Sequence, residues 1–176
     1  MRAMADTVTL VAGEEYRERI AAQLPLATIE ETWRRTLLEN PAVGRGVLVA
    51  QAEGEVVGFA SFLVPDPGSL EGKESPGSKP IAPGLPYEVP RGSAHILAFE
   101  VDHRQRNRGH GSRLLSAIAD TATAQGIPGL LVWIVGEDES RVRFFQKAGF
   151  APVGMRRSLD TGAGILTEHL WFAALA

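Results

Sequence analysis

The sequence predicts an α/β or α+β (mixed-sheet) domain. Three observations carry that prediction. Strand-like and helix-like runs interleave in the order β-α-α-β-β-β-α-β-α-β-β, a pattern that packs helices onto a sheet. Two of the runs, "AHILAFEV" and "GLLVWIV", are apolar almost throughout, as strands covered on both faces are. No repeat or linker divides the 176 residues, and 44% of them are apolar. A single domain over residues 1–176, large enough for an ordinary core, is therefore expected.

The elements follow in order. "TVTLVAG" alternates and ends in Gly, a strand signal. "EEYRERIAAQL" sets Tyr16 and Ile20 four apart, a short amphipathic helix ended by Pro25. In "ATIEETWRRTLLEN", Thr28 and Glu31 have capping-box spacing, and Ile29, Trp33 and Leu37 form one apolar helical stripe. Asn40-Pro41 stops that helix. "GVLVAQAEGEVVGFASFLV" reads as two strands around the turn "AEGE". Seven of the chain's 11 prolines then fall between Pro65 and Pro90. A Pro/Gly-rich insertion at about 65–92 is expected there, and long structureless loops are usually functional or disordered. "AHILAFEV" is a central strand, and Leu114, Leu115, Ile118, Ala119 and Ala122 line a helix that ends near Gly126. "GLLVWIV" is a second buried strand, and "EDESRVRFFQKAGF" is a short helix closed by Gly149. "APVGMRRSL" and "GILTEHLWFAAL" end the chain as two strands joined by the turn "DTGAG".

Composition excludes several functions. A net charge of −3 offers no bulk attraction for nucleic acid or an anionic membrane. Cysteine is absent, which removes disulfides and thiolate metal sites and fits a reducing compartment. His95, His103, His110 and His169 show no metal-ligand spacing, so no metal is expected. No apolar run matches a signal peptide or a bilayer span. A cytoplasmic location is the expectation.

The stretch "RNRGHGSRLLSAIADTA" places Arg106, Asn107, Arg108, Gly109, His110, Gly111 and Ser112 between a buried strand and a helix start. Backbone amides without helical partners gather at such a junction, and the helix dipole makes it positive. An anion is held there at little cost. The bland alternative is a solvated basic turn with glycines for geometry. Walker A needs a lysine that "GHGSR" lacks, and the dinucleotide fingerprint needs a third glycine where Leu114 stands.

Arg106-x-x-Gly109-x-Gly111, after a strand and opening a helix, resembles the acyl-CoA pyrophosphate motif of the GNAT superfamily of N-acyltransferases. "DESRVRFFQKAGF", from Asp138 to Phe150, resembles the helix which that family writes as Asn…Phe-Tyr…Gly-Phe. The strand and loop "SAHILAFEVDHRQRNRGHG" further resemble those of arylalkylamine N-acetyltransferases, which carry a histidine at the position of His95. The resemblance implies a mixed, mostly antiparallel central sheet of about seven strands flanked by about four helices. It implies acetyl-CoA as co-substrate, with the pantetheine lying beside Phe99, Glu100 and Val101 like an added strand. The amides from Arg106 to Ser112 would take the pyrophosphate, and Asp138 and Phe145 would face the cofactor from the second motif.

For acetyl transfer to an amine, His95 is the candidate general base, because it titrates near working pH. Glu100 is the other candidate. Alternation points it away from His95 unless a bulge intervenes. A buried histidine bonded to a carbonyl, and a charge at the sheet edge, are the structural alternatives. Two departures stand out. Phe145 occupies the position of the family's tyrosine general acid and has no hydroxyl. Asp138 stands where the family often has Asn, so an acid near the cofactor's oxygens must be turned away, protonated or bridged by water. Tyr87 is a substitute acid on the Pro-rich loop, or a packing aromatic. The expected acceptor is a small-molecule primary amine. A protein or peptide amine, or a non-catalytic acyl-CoA-binding module, is the alternative. Acyl length and oligomeric state, including a homodimer, stay open.

Overall fold

The twist of a β-hairpin demands left-handed residues at its two-residue turn, and "AEGE" supplies them. Glu53 and Gly54 have φ of 52° and 84°. They join β1 (Arg45–Ala52) to β2 (Glu55–Leu63) in an antiparallel pair. The computed structural model describes residues 45–64, 89–160 and 165–176, with Glu31 and Arg34, which are both helical and exposed. The expected first strand, the first helix and most of the second, residues 65–88 with Tyr87, and the tip 161–164 lie outside the described residues.

The chain continues as β3 (Ala94–Val101), a 3-10 turn over His103–Gln105, α1 (His110–Ala124), β4 (Gly129–Val135) and α2 (Glu139–Lys147). It ends in β5 (Ala151–Asp160) and β6 (Ile165–Ala174). The six strands form one sheet in the order β1-β2-β3-β4-β6-β5. The pair β3/β4 is parallel, and the other neighbouring pairs are antiparallel. This is the mixed, mostly antiparallel sheet that the resemblance implies. Among the described residues it has six of the expected strands and two complete helices.

Helix α1 buries Leu114, Leu115, Ile118 and Ala122, the stripe its spacing predicts. They pack on Ala60, Phe62, Ala94, Ile96 and Val132 of the sheet. The helix stops where Gly126 takes a φ of 71° and Ala122 O accepts from the amides of Gln125 and Ile127. The opposite face of the sheet carries a smaller cluster of Leu131, Val153, Leu170 and Phe172, with Trp133 and Met155 against it.

Two irregularities shape this sheet. In β3, Ser61 pairs with Ala98 while Phe62 pairs with Ile96, so Leu97 is an extra residue. It is 64% exposed. Paired residues share a face, and the bulge shifts the alternation by one. His95 opposite Leu63 and Glu100 opposite Phe59 therefore lie on the same face, because β2 runs regularly between those partners. Strict alternation, which would have opposed them, does not hold along this strand. In addition, β3 pairs with β4 only over Ala94–Leu130, His95–Leu131 and Ile96–Val132. Beyond Ile96 the two strands part.

Phe145 fills the space under the parting. It is fully buried, with edge-on contacts to Phe99, Phe144 and Phe150 at centroid distances of 5.4, 5.2 and 5.1 Å. Truncating such a side chain costs its transfer energy and leaves a cavity. Phe145→Ala is expected to lower stability by about 3–5 kcal/mol in urea unfolding, far more than Phe145→Leu.

Candidate active site

Where β3 leaves β4, a cleft of about 500 Å³ opens between β3, the N-terminus of α1 and one face of α2. Phe99, Glu100 and Val101 wall it from β3. Arg106, Asn107, Gly109, His110, Gly111 and Ser112 form its end at α1, and Asp138 and Phe145 line it from α2. The residues that the sequence assigns to the cofactor thus line one cleft, with one exception. Arg108 is exposed and does not line the cleft; its carbonyl accepts from Arg113 Nη2 at 3.3 Å. The chain turns at Asn107, whose φ is 61°, and so carries Arg108 outward.

The end of α1 is built for an anion. Gly109 is its N-cap, with a φ of 79°, and makes no side-chain cap bond. No acidic residue occupies the first turn. The first backbone bond of the helix runs from Arg113 N to Gly109 O, so the amides before it have no partner within the helix. Arg106, Arg143 and Lys147 add positive charge along the same cleft. Gly111 lets α1 lie close to α2, since a Cβ there would stand 3.4 Å from Phe144. His110 is buried, with Nδ1 3.1 Å from Arg113 Nη2.

The N-terminus of α2 is treated in the opposite way. Asp138 caps it, accepting from Arg141 N at 2.9 Å. The other carboxylate oxygen lies 3.5 Å from Arg141 Nε. Arg141 Nη2 reaches across the cleft to Glu100 Oε1 at 2.8 Å. One guanidinium thus binds two carboxylates that are each 8% exposed. This answers the question posed by an acid at position 138: it is a helix cap, and Arg141 balances its charge. Glu100 is likewise tied into an ion pair between β3 and α2.

His95 lies outside the cleft lining, on the sheet face of Leu131. It is half-buried, and burial followed by the charge of Arg157 holds its pKa below the usual 6.5. A ring that is neutral at neutral pH results. The stability that His95 contributes in this form is complete above pH 6.5 and declines as pH falls through its lowered pKa.

Sequence reasoning missed Gln105, Ser140, Arg141, Arg143, Phe144 and Lys147, which also line the cleft. The α2 residues could have been found by projecting the helix, since positions three and four apart share a face. Gln105 had no such signal. Its Oε1 is buried without a hydrogen-bond partner among the described residues, an acceptor that calls for a donor beyond them. The uncapped amides, the cationic lining, the open edge of β3 and this orphan acceptor together fit a long, polar, polyanionic thioester such as acetyl-CoA. Among the described residues no cluster of side chains fits a metal ion, and no helix is long and apolar enough to cross a membrane.

A model of the acetyltransferase (GNAT) family matches residues 12–150. The chain belongs to the GNAT family. No curated protein matches it by sequence. Its fold is similar to that of a GNAT acetyltransferase from Streptococcus pneumoniae, at 17% identity and a TM-score of 0.57, covering 77% of this chain and 69% of that one. It is also similar to a Bacillus anthracis protein described as a candidate streptothricin acetyltransferase and solved with acetyl coenzyme A. That match has 16% identity and a TM-score of 0.58, covering 81% and 68%. A third is the ribosomal-protein-S18-alanine N-acetyltransferase of Escherichia coli, at 15% identity and a TM-score of 0.56, covering 81% and 76%. Family membership makes this GNAT domain an acetyl-CoA-dependent N-acetyltransferase.

The buried ion triad has a measurable consequence. Arg141→Ala would remove the guanidinium that Glu100 and Asp138 share, at a cost of about 3–5 kcal/mol. Urea unfolding is expected to show that loss. The double variant Glu100→Gln/Arg141→Gln is expected to recover more than half of it, because fewer buried charges remain.

Proposed function

We propose that this GNAT domain moves an acetyl group from acetyl-CoA directly to the primary amine of a small molecule, with His95 as the general base. The observation that carries the reading is the position of His95. It stands at the point where β3 and β4 are still paired, one residue before they part. It lies on the sheet face opposite α1, and burial keeps it unprotonated.

The chemistry follows from the residues. An ammonium has no lone pair, so the acceptor must first lose a proton, and a neutral imidazole can take it. The freed nitrogen forms a C–N bond at the thioester carbonyl as the C–S bond breaks, and the second proton that this nitrogen sheds passes to the departing thiolate, so that the products are the neutral amide and the CoA thiol. The sulfur leaves as a thiolate, which needs little assistance because thiols ionise near pH 8.5. That suits a site in which Phe145 has no proton to give. The amides of Gly109, His110, Gly111 and Ser112 hold the pyrophosphate, with Arg106 beside them. The edge of β3 at Phe99, Glu100 and Val101 lies along the pantetheine. Gln105 Oε1 accepts from a donor group of the same ligand. Asp138 and Phe145 shape the cleft and take no part in proton transfer.

The test is CoA release with a panel of amines, short peptides included, for the parent and its His95 variants. His95→Ala and His95→Gln are each expected to lower kcat by roughly 10²–10⁴-fold, with the acetyl-CoA Kd little changed. In the parent, kcat/KM should fall on acidification through a pKa below 6.5, where the imidazole of the free enzyme gains its proton. A His95→Gln enzyme with full kcat and the same pH profile would show that this histidine is structural. A protein that turns over peptides but no small amine would move the acceptor to the protein class.

A further inference from the structure

We infer that Arg157 is the acceptor-recognition residue, and that its guanidinium end binds the carboxylate of an amino-acid-like amine delivered to His95. The inference rests on the function proposed above and names the class of acceptor.

Four features converge on Arg157. First, the backbone goes out of its way to place it. β5 pairs regularly with β6 at Ala151–Phe172 and Pro152–Trp171, then slips by two residues so that Arg156 faces His169 and Arg157 faces Glu168. Gly154, with a φ of 79°, sits inside the slip. Without it, Met155 would stand opposite Glu168. Bulges of this kind re-aim side chains beside functional sites.

Second, the guanidinium is held still. Its central carbon lies over the ring of Trp133, 4.5 Å from the centroid, and Nε donates to Glu168 Oε2 at 2.5 Å. The cation–π contact holds the group over the ring and the ion pair restrains its rotation.

Third, the useful edge is left over. Glu168 takes the Nε side, and no partner among the described residues engages Nη1 or Nη2. The side chain is 32% exposed. Those two nitrogens form the planar fork that matches both oxygens of a carboxylate. Glu168 balances the charge, so the fork selects by shape and direction more than by bulk attraction.

Fourth, the fork is on the correct side. The pairs His95–Leu131, Val135–Glu168 and Glu168–Arg157 put His95 and Arg157 on one sheet face, along with Trp133. The charge of Arg157 is felt at His95. An acceptor with its amine at the imidazole and an acid group at the fork spans the two, over an aromatic floor.

The experiment compares acceptors that differ only at the acid: phenylalanine, phenylalaninamide and phenethylamine, and the matching leucine series. Each is assayed for CoA release with the parent, Arg157→Gln and Arg157→Lys, and acetyl-CoA affinity is measured by calorimetry. The readout is the ratio of kcat/KM for acid and amide in each enzyme, compared between enzymes. Intrinsic amine basicity cancels in that comparison, as does any effect of the lost charge on His95. The parent should favour the acid. Arg157→Gln should reduce the ratio by about 10- to 100-fold, mainly through the KM of the acid, the worth of a charged hydrogen-bonded pair. Arg157→Lys should lose most of it too, because an ammonium has no fork. Acetyl-CoA affinity should be retained in both variants, which shows that they fold. A parent that prefers the amide or the decarboxylated amine overturns the inference alone, as does a ratio unmoved in both variants. Acetyl-CoA binding without transfer to any amine overturns the proposed function, and this inference with it.

Discussion

The parting of β3 from β4 is the constraint on which the rest of the structure depends. Three parallel pairs hold the strands together, and then the bulge at Leu97 increases the local twist. Phe99, Phe144 and Phe145 form an aromatic wedge under the opening. Interior packing does not tolerate an empty gap of that size, so the wedge and the divergence imply each other. The open edge of β3, the cleft beside it and the exposed N-terminus of α1 all follow from it. So does the location of His95 at the last stretch of pairing, where one sheet face meets the other.

Electrostatics divides the cleft into two ends. The unsatisfied amides of α1 face it uncapped, with arginine and lysine nearby, an arrangement suited to phosphates. The N-terminus of α2 has its own carboxylate and so offers an anionic ligand little. Arg141 pairs with that carboxylate and with Glu100, and in doing so ties β3 to α2 across the opening. The same residue therefore supports the shape of the cleft.

The opposite sheet face follows a different logic. His95 is neutral because it is partly removed from water and because a cation lies near it. That cation, Arg157, is itself held by Trp133 and Glu168, from two further strands. Four strands thus contribute to one small polar group set against an apolar cluster. Such rigid support is what a site needs if it is to hold a substrate within fractions of an ångström.

Patterns local in the chain are legible in the residues themselves. Alternation, apolar runs and glycine-bearing turns locate the hairpin at Glu53–Gly54, the two buried strands, α1 with its stripe, and α2 up to Gly149. The glycines that open α1 mark the anion site, because amide geometry at a helix start depends on neighbours in sequence. What depends on pairing across the sheet is not legible in this way. A bulge is a property of two strands together, so Leu97 carries no mark in its own sequence, and the shared face of His95 and Glu100 follows only once the bulge is known. Asp138 and Glu100 share one partner, Arg141, and Glu100 lies on a strand 41 residues away from it in sequence, so an arginine inside "ESRVRFF" reads as ordinary helix surface until the fold brings that strand near. Arg157 is one of two adjacent arginines in a terminal strand, and a two-residue slip in register decides which neighbours it meets. Local sequence determined the elements and the phosphate end of the site. Tertiary structure decided the charge pairs, because burial and cross-strand register, which set the energy of those pairs, are not encoded in any one segment.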